Sequence, residues 1–356
     1  SSDLSPLARL TGKTVHGSVA IDWRGSGRAG TLQHSGEGRL EIKQGAFDTL
    51  TGVSVEIAGR YSPETVQLAP VNIRSDQGSL ETVIAMRNQQ LMVKPLRIDI
   101  PKLGTVEGHA QVPVDLTAAD NKAYLFPKDG ALDVALKLRQ LDLATLTTVP
   151  QLPAQSKGRK KGKMPPPSTL RGIVKAELTG KGTVSRPDLT PTVTGEQLAH
   201  SAAAKVPPTQ ATLTARFLDD RLAVEATALL PRVQPLRLSG FIPLPLEQVL
   251  ETGSLPPATP LHFDLTLPSS PASVIPQFAP LFRYVEGRIA LAAQLRGTLE
   301  APAFSGGAQL ELPALRFNDT NLPGINGFKG DLAFSGTELQ FRRFHGDVAG
   351  GRFGVS

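Results

Sequence analysis

The chain has 356 residues, a net charge of +6 and no cysteine, and 40% of its residues are hydrophobic but only 5% aromatic. The lack of cysteine excludes disulfides, thiolate nucleophiles and cysteine-ligated metals. Its 34 glycines and 30 prolines disfavour long helices and predict frequent turns, because glycine is entropically costly in a helix and proline lacks an amide donor.

Apolar and polar residues alternate with period two from one end of the chain to the other, which predicts β-strands with one apolar face. Val53, Val55 and Ile57, for example, share one face, and Ser54 and Glu56 lie between them. Roughly eighteen to twenty strands, most of them about 5 to 9 residues long, can be marked in this way. The residues that we predict to line the apolar face are Val15, Val19, Ile21, Val53, Val55, Ile57, Leu132, Val134, Leu136, Val174, Leu178, Leu213, Phe217, Leu222, Val224, Leu236, Leu238, Leu261, Phe263, Leu265, Ile289, Leu291, Leu295, Phe328, Leu332 and Phe334.

Helical patterns are scarce, so the predicted fold is all-β with mostly antiparallel strands and a few short helical turns. One candidate lies at 271–284, where Ser269 or Ser270 could cap and Pro271 could take the first helical position. A second lies at 244–252. Neither suits the crossover helix of a parallel sheet. An open sheet with one solvated face and an enclosed β-sandwich both produce the observed alternation.

Changes in composition divide the chain into five predicted segments. These are β-sheet segments at 1–150, 170–267 and 287–356, a basic, proline-rich linker or loop at 151–169, and a short helical, proline-rich insertion at 268–286. Five basic residues lie between Lys157 and Lys163. We interpret them as a solvated flexible loop, with contact to anionic headgroups or nucleic acid as the alternative. Because the rest of the chain is nearly neutral, no nucleic-acid partner is predicted.

No pattern of residues predicts a catalytic, cofactor or metal site. The sequence Gly25–Gly30 spells G-x-G-x-x-G, but glycine-rich, alternating residues follow it instead of the helix that a dinucleotide site needs, so we predict a turn. The six histidines are scattered without ligand spacing, and Asp219 and Asp220 suit a hairpin turn better than a catalytic carboxylate pair. Trp23 is predicted to be a core residue. The chain is therefore not expected to be an enzyme.

A longer repeat lies where one strand ends and the next begins. The stretch Leu295–Gly307 contains the frame L-x-G-T-x-x-x-P-x-x-x-G, and Gly182–Gly195 echoes it. In each copy a strand ends at Gly-Thr and a turn carries proline. The chain also begins and ends within the strand pattern, has no run of about 18 apolar residues and does not start with a signal peptide. We therefore expect it to be a fragment whose membrane anchor lies outside it.

These motifs resemble the TamB family, the inner-membrane subunit of the translocation and assembly module of Gram-negative bacteria, which is related to AsmA-like proteins. The resemblance is carried by Gly297–Pro302, Gly306-Gly307, Ile325–Gly330 and, above all, the closing Phe344–Phe353. Gly182–Gly195 and Pro235–Gly240 also resemble the glycine and proline motifs of this family, and residues 14–113 resemble them more loosely.

The resemblance implies an elongated β-taco, a sheet curled into a groove with a hydrophobic trough. It also implies a periplasmic protein that is anchored in the inner membrane and reaches the outer membrane, with phospholipid acyl chains and an outer-membrane β-barrel protein of the Omp85 type as partners. Keeping each acyl CH₂ from water is worth about 0.8 kcal/mol, so a trough could offset roughly 20 kcal/mol per phospholipid.

Three functions follow as hypotheses. The first is conduction of phospholipids between the membranes along the apolar groove. The second is assembly of outer-membrane proteins, in which exposed strand edges receive client strands by augmentation. The third, an enzyme acting on polysaccharide, requires a carboxylate cluster that the sequence does not reveal.

Overall fold

The computed structural model describes residues 2–3, 15–28, 34–47, 50–101, 103–115, 126–146, 170–200 and 206–355. The predicted all-β fold is confirmed, since the described residues form antiparallel open sheet with few helical turns. The strands, in chain order, are β1 (Ser2–Asp3), β2 (Val15–Gly27), β3 (His34–Phe47), β4 (Leu50–Ser62), β5 (Thr65–Ser75), β6 (Gly78–Arg87), β7 (Gln90–Ile100), β8 (Gly104–Pro113), β9 (Ala131–Asp142), β10 (Leu170–Thr183), β11 (Pro187–His200), β12 (Thr209–Leu218), β13 (Arg221–Leu229), β14 (Leu236–Pro243), β15 (His262–Pro271), β16 (Phe282–Gly297), β17 (Pro302–Phe317), β18 (Ile325–Ser335), β19 (Glu338–Val348) and β20 (Gly351–Val355).

The helical elements are short. They are α1 (Leu143–Leu146), α2 (Leu246–Thr252), a 3₁₀ turn at Ala272–Val274 and α3 (Ile275–Phe278). The predicted cap of the third element is wrong, because Pro271 itself is the N-cap residue and no side chain caps the turn. Ser270 is instead fully buried, where its hydroxyl accepts from Gln234 N and donates to Pro268 O.

The chain divides into two compact units. The first contains Ser1–Asp142 and Lys175–Pro191, and the second contains Leu143–Val174 and Thr192–Ser356. In the first unit, β2 to β9 form a meander in which each strand pairs antiparallel with the next. In the second unit, β12 to β20 repeat this arrangement. The five segments predicted from composition stay predictions, and 151–169 lies outside the described residues.

Most strands are longer than predicted, and β16 and β17 reach 16 residues each. The pattern breaks that suggested strand ends are β-bulges within continuous strands. Pro70 and Pro95, for example, lie where the register of β5 and β7 shifts, and a bulge tolerates a residue without an amide donor. Gly287, with φ of 120°, occupies a similar shift in β16.

The Gly-Thr repeat forms the same turn twice. Gly182 and Gly297 have φ of 108° and 90°, and a Cβ atom at either would lie within 3 Å of a backbone oxygen across the turn. Thr183 N donates to Arg186 O at 3.3 Å, and Thr298 N donates to Ala301 O at 3.2 Å. Each threonine hydroxyl also accepts from the backbone amide three residues on. The repeat is therefore a glycine-dependent hairpin turn capped by threonine.

The predicted Asp219-Asp220 hairpin also occurs. Both residues have positive φ, 49° and 53°, and join β12 to β13 as a two-residue turn. Two successive left-handed residues are typical of the type I′ turns that match strand twist.

Candidate functional site

One side of the first unit carries apolar residues in rows that run across the strands. In the first row every residue pairs with the next: Val19, Ile42, Val55, Ile73, Leu80, Ile98, Val106 and Leu138. The second row consists of Ile21, Leu40, Ile57, Val71, Thr82, Leu96, Gly108 and Leu136. The third consists of Trp23, Gly38, Gly59, Leu68, Ile84, Val93, Ala110 and Val134. We call these three rows the first face.

The first face is only partly covered. All eight residues of its first row are partly exposed, and Ile21 in the second row is 71% exposed. Eight strands about 4.8 Å apart and three rows about 6.8 Å apart give a strip of about 34 Å by 14 Å. A strip of this size, about 480 Å², equals the largest apolar patch of a typical monomeric protein, and such patches are often functional. The described residues of the first unit contain no helix that could cover this face.

The opposite side of the same strands is charged. Arg39 and Glu56 pair at 2.7 Å, and Arg74 and Glu81 pair at 3.1 Å. These side chains are substantially exposed, so each pair contributes little to stability. Their importance is positional, because alternation places the charges on one side of the sheet and leaves the three rows of the first face without any charged residue.

The second unit has an equivalent apolar side. One row crosses eight strands through Leu213, Ala226, Leu238, Leu265, Ala293, Gly306, Phe334 and Leu339. Beside it lie the paired rows Ala215, Val224, Gly240, Phe263, Leu295 and Phe304, and Leu267, Leu291, Ala308, Leu332 and Phe341. We call these rows the second face. Phe304, Leu339 and Phe341 are 47%, 57% and 51% exposed.

A cavity of about 350 Å³ opens on the second face. Leucine and valine side chains from β10 to β15 form its walls, among them Leu198, Leu213 and Leu238. The small residues Ala211 and Ala226 also line it. Its size is at the lower end of small-molecule sites, and its lining is almost entirely apolar.

Several large side chains lie flat against a glycine on a neighbouring strand. A Cβ atom added to Gly38, Gly240 or Gly306 would lie within 3 Å of the ring of Trp23, Phe263 or Phe334, respectively. Glycine therefore lets each ring rest on the backbone instead of standing up from the sheet.

One part of the second unit is closed. Ala272 in the 3₁₀ turn and Val285, Leu312, Leu315 and Phe328 in the sheet form a buried cluster, with Ala272 fully buried. The helical segment packs against one end of β16 and so covers this end of the strands. The other end, which carries Phe304 and Phe341, stays exposed.

Most of the predicted lining residues lie on one or the other of the two apolar faces. Val19, Ile21, Val53, Val55, Ile57, Leu132, Val134 and Leu136 lie on the first face or continue its alternation, and Leu178 lies two residues from Gly180, which adjoins Val134. Val174, Leu213, Leu222, Val224, Leu236, Leu238, Phe263, Leu265, Leu291, Leu295, Leu332 and Phe334 lie on the second face, in its alternation or in its cavity. Phe217 and Leu261 are buried, whereas Ile289 and Phe328 belong to the closed cluster. The backbone of Val15 pairs with Phe47, and its side chain lies outside the described ones.

Sequence reasoning assigned Trp23 to a core, and this is wrong. Its side chain is 57% exposed, and all residues of β2 from Ile21 to Gly27 are exposed as well. Reasoning from sequence also missed the apolar residues of β3, including Leu40 and Ile42. That strand does alternate, but the glycine-rich residues before it make the pattern hard to recognise.

The other sequence motifs form no site within the described residues. The first three residues of the G-x-G-x-x-G sequence, Gly25–Gly27, end strand β2 and do not form the predicted turn, and β3 begins at His34, so the described residues here contain no helix of the kind that a dinucleotide site needs. In the described part of the chain, no three His, Asp or Glu side chains come close enough to hold a metal ion. The same part has no helix with the length and apolarity to cross a membrane.

No family model matches the chain, and comparisons with curated proteins and with solved structures give no significant match. The resemblance to the TamB family therefore stays a prediction.

Proposed function

We propose that this chain is a segment of a periplasm-spanning protein that conducts phospholipids between the inner and outer membranes along its apolar faces. The observation that supports the proposal best is the first row of the first face. Eight paired aliphatic residues, from Val19 to Leu138, cross eight strands and are all partly exposed. In a β-sandwich core, a second sheet would cover these side chains.

The free energy available on such a face suits acyl chains. Each CH₂ that leaves water contributes about 0.8 kcal/mol. Exposing both chains of a phospholipid to water would therefore cost roughly 20 kcal/mol, and an apolar surface must offset this cost. The rows supply aliphatic carbon and no charge. The headgroup can stay in water, because the strip is only about 14 Å wide along the strands.

Conduction also requires that no position holds the lipid too tightly. Because the rows run across the strands, an acyl chain moving along a row meets a similar side chain about every 4.8 Å. Val55, Ile73 and Leu80 differ little in size and chemistry. Binding is therefore similar at successive strands, which favours movement over storage at one site.

Paired charges on the second face test the proposal. We expect Leu291→Asp combined with Leu332→Lys to abolish transfer of fluorescent phospholipid between donor and acceptor vesicles, because both residues lie in one apolar row. Gln309→Asp combined with Gln340→Lys adds the same charges to exposed positions on the opposite side of the sheet and should leave transfer unchanged. Equal transfer by the two double variants would exclude conduction along this face.

The edge of β2 favours a second candidate function, assembly of outer-membrane proteins by strand addition. Within the described residues, β2 from Ala20 to Gly27 pairs with β3 on one side, and β1 reaches only Ser18 and Val19 on the other. An unpaired edge can accept an extended client strand through backbone hydrogen bonds. A photo-crosslinker at Arg24 should then capture an unfolded outer-membrane barrel protein, and charges on the second face should not reduce the yield.

A further inference from the structure

Trp23 and Tyr61 form an exposed aromatic platform at one end of the first face. Their ring centroids are 5.3 Å apart and their planes differ by 19°. Trp23 lies on β2 and Tyr61 on β4, so the two rings meet above β3. At the paired positions β3 has Gly38 opposite Trp23 and Gly36 opposite Tyr61.

The two rings can take these positions only because residues 36 and 38 are glycines. A Cβ atom at Gly36 would lie within 3 Å of the Tyr61 ring, and one at Gly38 would lie within 3 Å of the Trp23 ring. The rings therefore rest directly on the backbone of β3. A ring that covers a cross-strand glycine is a known stabilising device in sheets, and here it fixes two rings side by side.

The polar atoms of the two rings lie close to Gly25. Trp23 Nε1 and Tyr61 Oη lie 3.3 and 3.7 Å from the position that a Cβ atom of this residue would occupy, and the backbone oxygen of Ser35 lies 3.3 Å from it. Because residue 25 is glycine, no side chain at this position screens the two polar atoms. Neither of the two ring atoms forms a hydrogen bond with a described residue, so both can donate to a ligand at the margin of the apolar strip.

We propose that this platform binds the ester region of a glycerophospholipid. The indole N–H and the phenol O–H donate to an ester carbonyl oxygen, and the acyl chains extend from there over the rows of the first face. An ester carbonyl suits the site because it is an uncharged acceptor joined directly to acyl chain. Trp and Tyr favour such boundaries, since each combines an apolar ring with a polar tip. This inference rests on the proposed function, because it requires lipid on the first face.

Fluorescence tests the placement directly, because Trp23 is the single tryptophan of the chain. The full 356-residue chain is titrated with phosphatidylcholine whose acyl chains carry bromine, a contact quencher, near either the carboxyl or the methyl end. We expect a larger loss of Trp23 fluorescence with bromine near the carboxyl end. An equal or larger loss with bromine near the methyl end overturns the placement.

Two conservative variants test the hydrogen bonds. Trp23→Phe and Tyr61→Phe keep an aromatic ring over β3 and remove one donor each, so each should weaken binding of a fluorescent phosphatidylcholine by roughly 2- to 12-fold. Tyr284→Phe is the matched control. Its hydroxyl bonds to Glu286 in the second unit, and its removal should leave the affinity unchanged.

The outcomes separate this inference from the proposed function. If phospholipid binds the chain but both platform variants bind it as tightly as the wild type, the platform is not the ester site, and the proposed function stands. If native mass spectrometry detects no phospholipid bound to the wild-type chain, both proposals fail.

Discussion

A carboxylate introduced into the first row should weaken the binding of acyl chains there, whereas the same charge on the opposite side of the sheet should not. Val55 lies in the middle strands of this row, between Ile42 and Ile73, and is partly exposed. In Val55→Asp the carboxylate stays hydrated while the face is empty, so the chain should fold. An acyl chain that covers this position would have to desolvate the charge and would lose the contact with the valine.

The expected effect is large. Loss of apolar contact and desolvation of a carboxylate together cost at least about 3 kcal/mol, which corresponds to more than about 100-fold weaker binding of an acyl chain at this position. The control is Ser54→Asp, which places the same charge one residue away, on the opposite side, where Arg74 is the registered partner. We expect it to bind lipid as the wild type does.

The assay is photo-crosslinking, in which the yield of adducts on β4 from a phospholipid with a photoreactive acyl chain is compared between the two variants. Circular dichroism confirms that both variants keep their sheet. If Val55→Asp and Ser54→Asp give the same yield on β4, acyl chains do not contact the first row there, and the reasoning from its exposure is wrong.

Three further predictions concern stability. Gly297→Ala should destabilise the chain by about 1 kcal/mol or more in denaturant unfolding, because φ is 90° and the added methyl meets a backbone oxygen; Gly336→Ala, which has positive φ but open space, should cost less. Hydrogen bonds from Thr51 lower the pKa of Asp76, so this carboxylate stabilises the fold above its unfolded-state pKa, and the contribution is lost as the pH falls through the lower folded-state pKa. In Thr51→Val, an NMR titration should show the pKa of Asp76 closer to its usual value, and an unchanged pKa would contradict the assignment. Ala272→Asp should unfold the closed cluster at lower temperature, since the residue is fully buried among apolar side chains; an unchanged melting temperature would mean that the helical segment does not pack as described.

Alternation was sufficient to predict most of the strands and which of their sides is apolar. Val53, Val55 and Ile57 illustrate this, since side chains along a strand must point to opposite sides in turn. The sequence could not show that Val55 pairs with Ile42 and Ile73, because register depends on turns and bulges elsewhere. Strand lengths were underestimated for the same reason, as a bulge and a strand end look alike in a pattern.

The sequence was sufficient to predict that the candidate site is apolar, but not which of its apolar side chains are exposed. Whether an apolar side is covered depends on packing by other elements, which alternation does not encode. Ala272 and Trp23 illustrate the two outcomes. Ala272 lies in the short helical segment and is fully buried against the sheet, whereas Trp23 is exposed on β2 although it belongs to an apolar row. The flat rings over glycine also required knowledge of which strands are neighbours.

The most direct test of the central claim is to map where acyl chains touch the protein. The full chain is loaded with a phospholipid that carries a photoreactive group on its acyl chain, irradiated and analysed by peptide mass spectrometry. We expect adducts at alternate residues along β4, at Val55 and Ile57, with none at Ser54 or Glu56. Adducts on both sides of the strand, or adducts at Ser54 and Glu56 alone, would contradict binding of acyl chains to the apolar face.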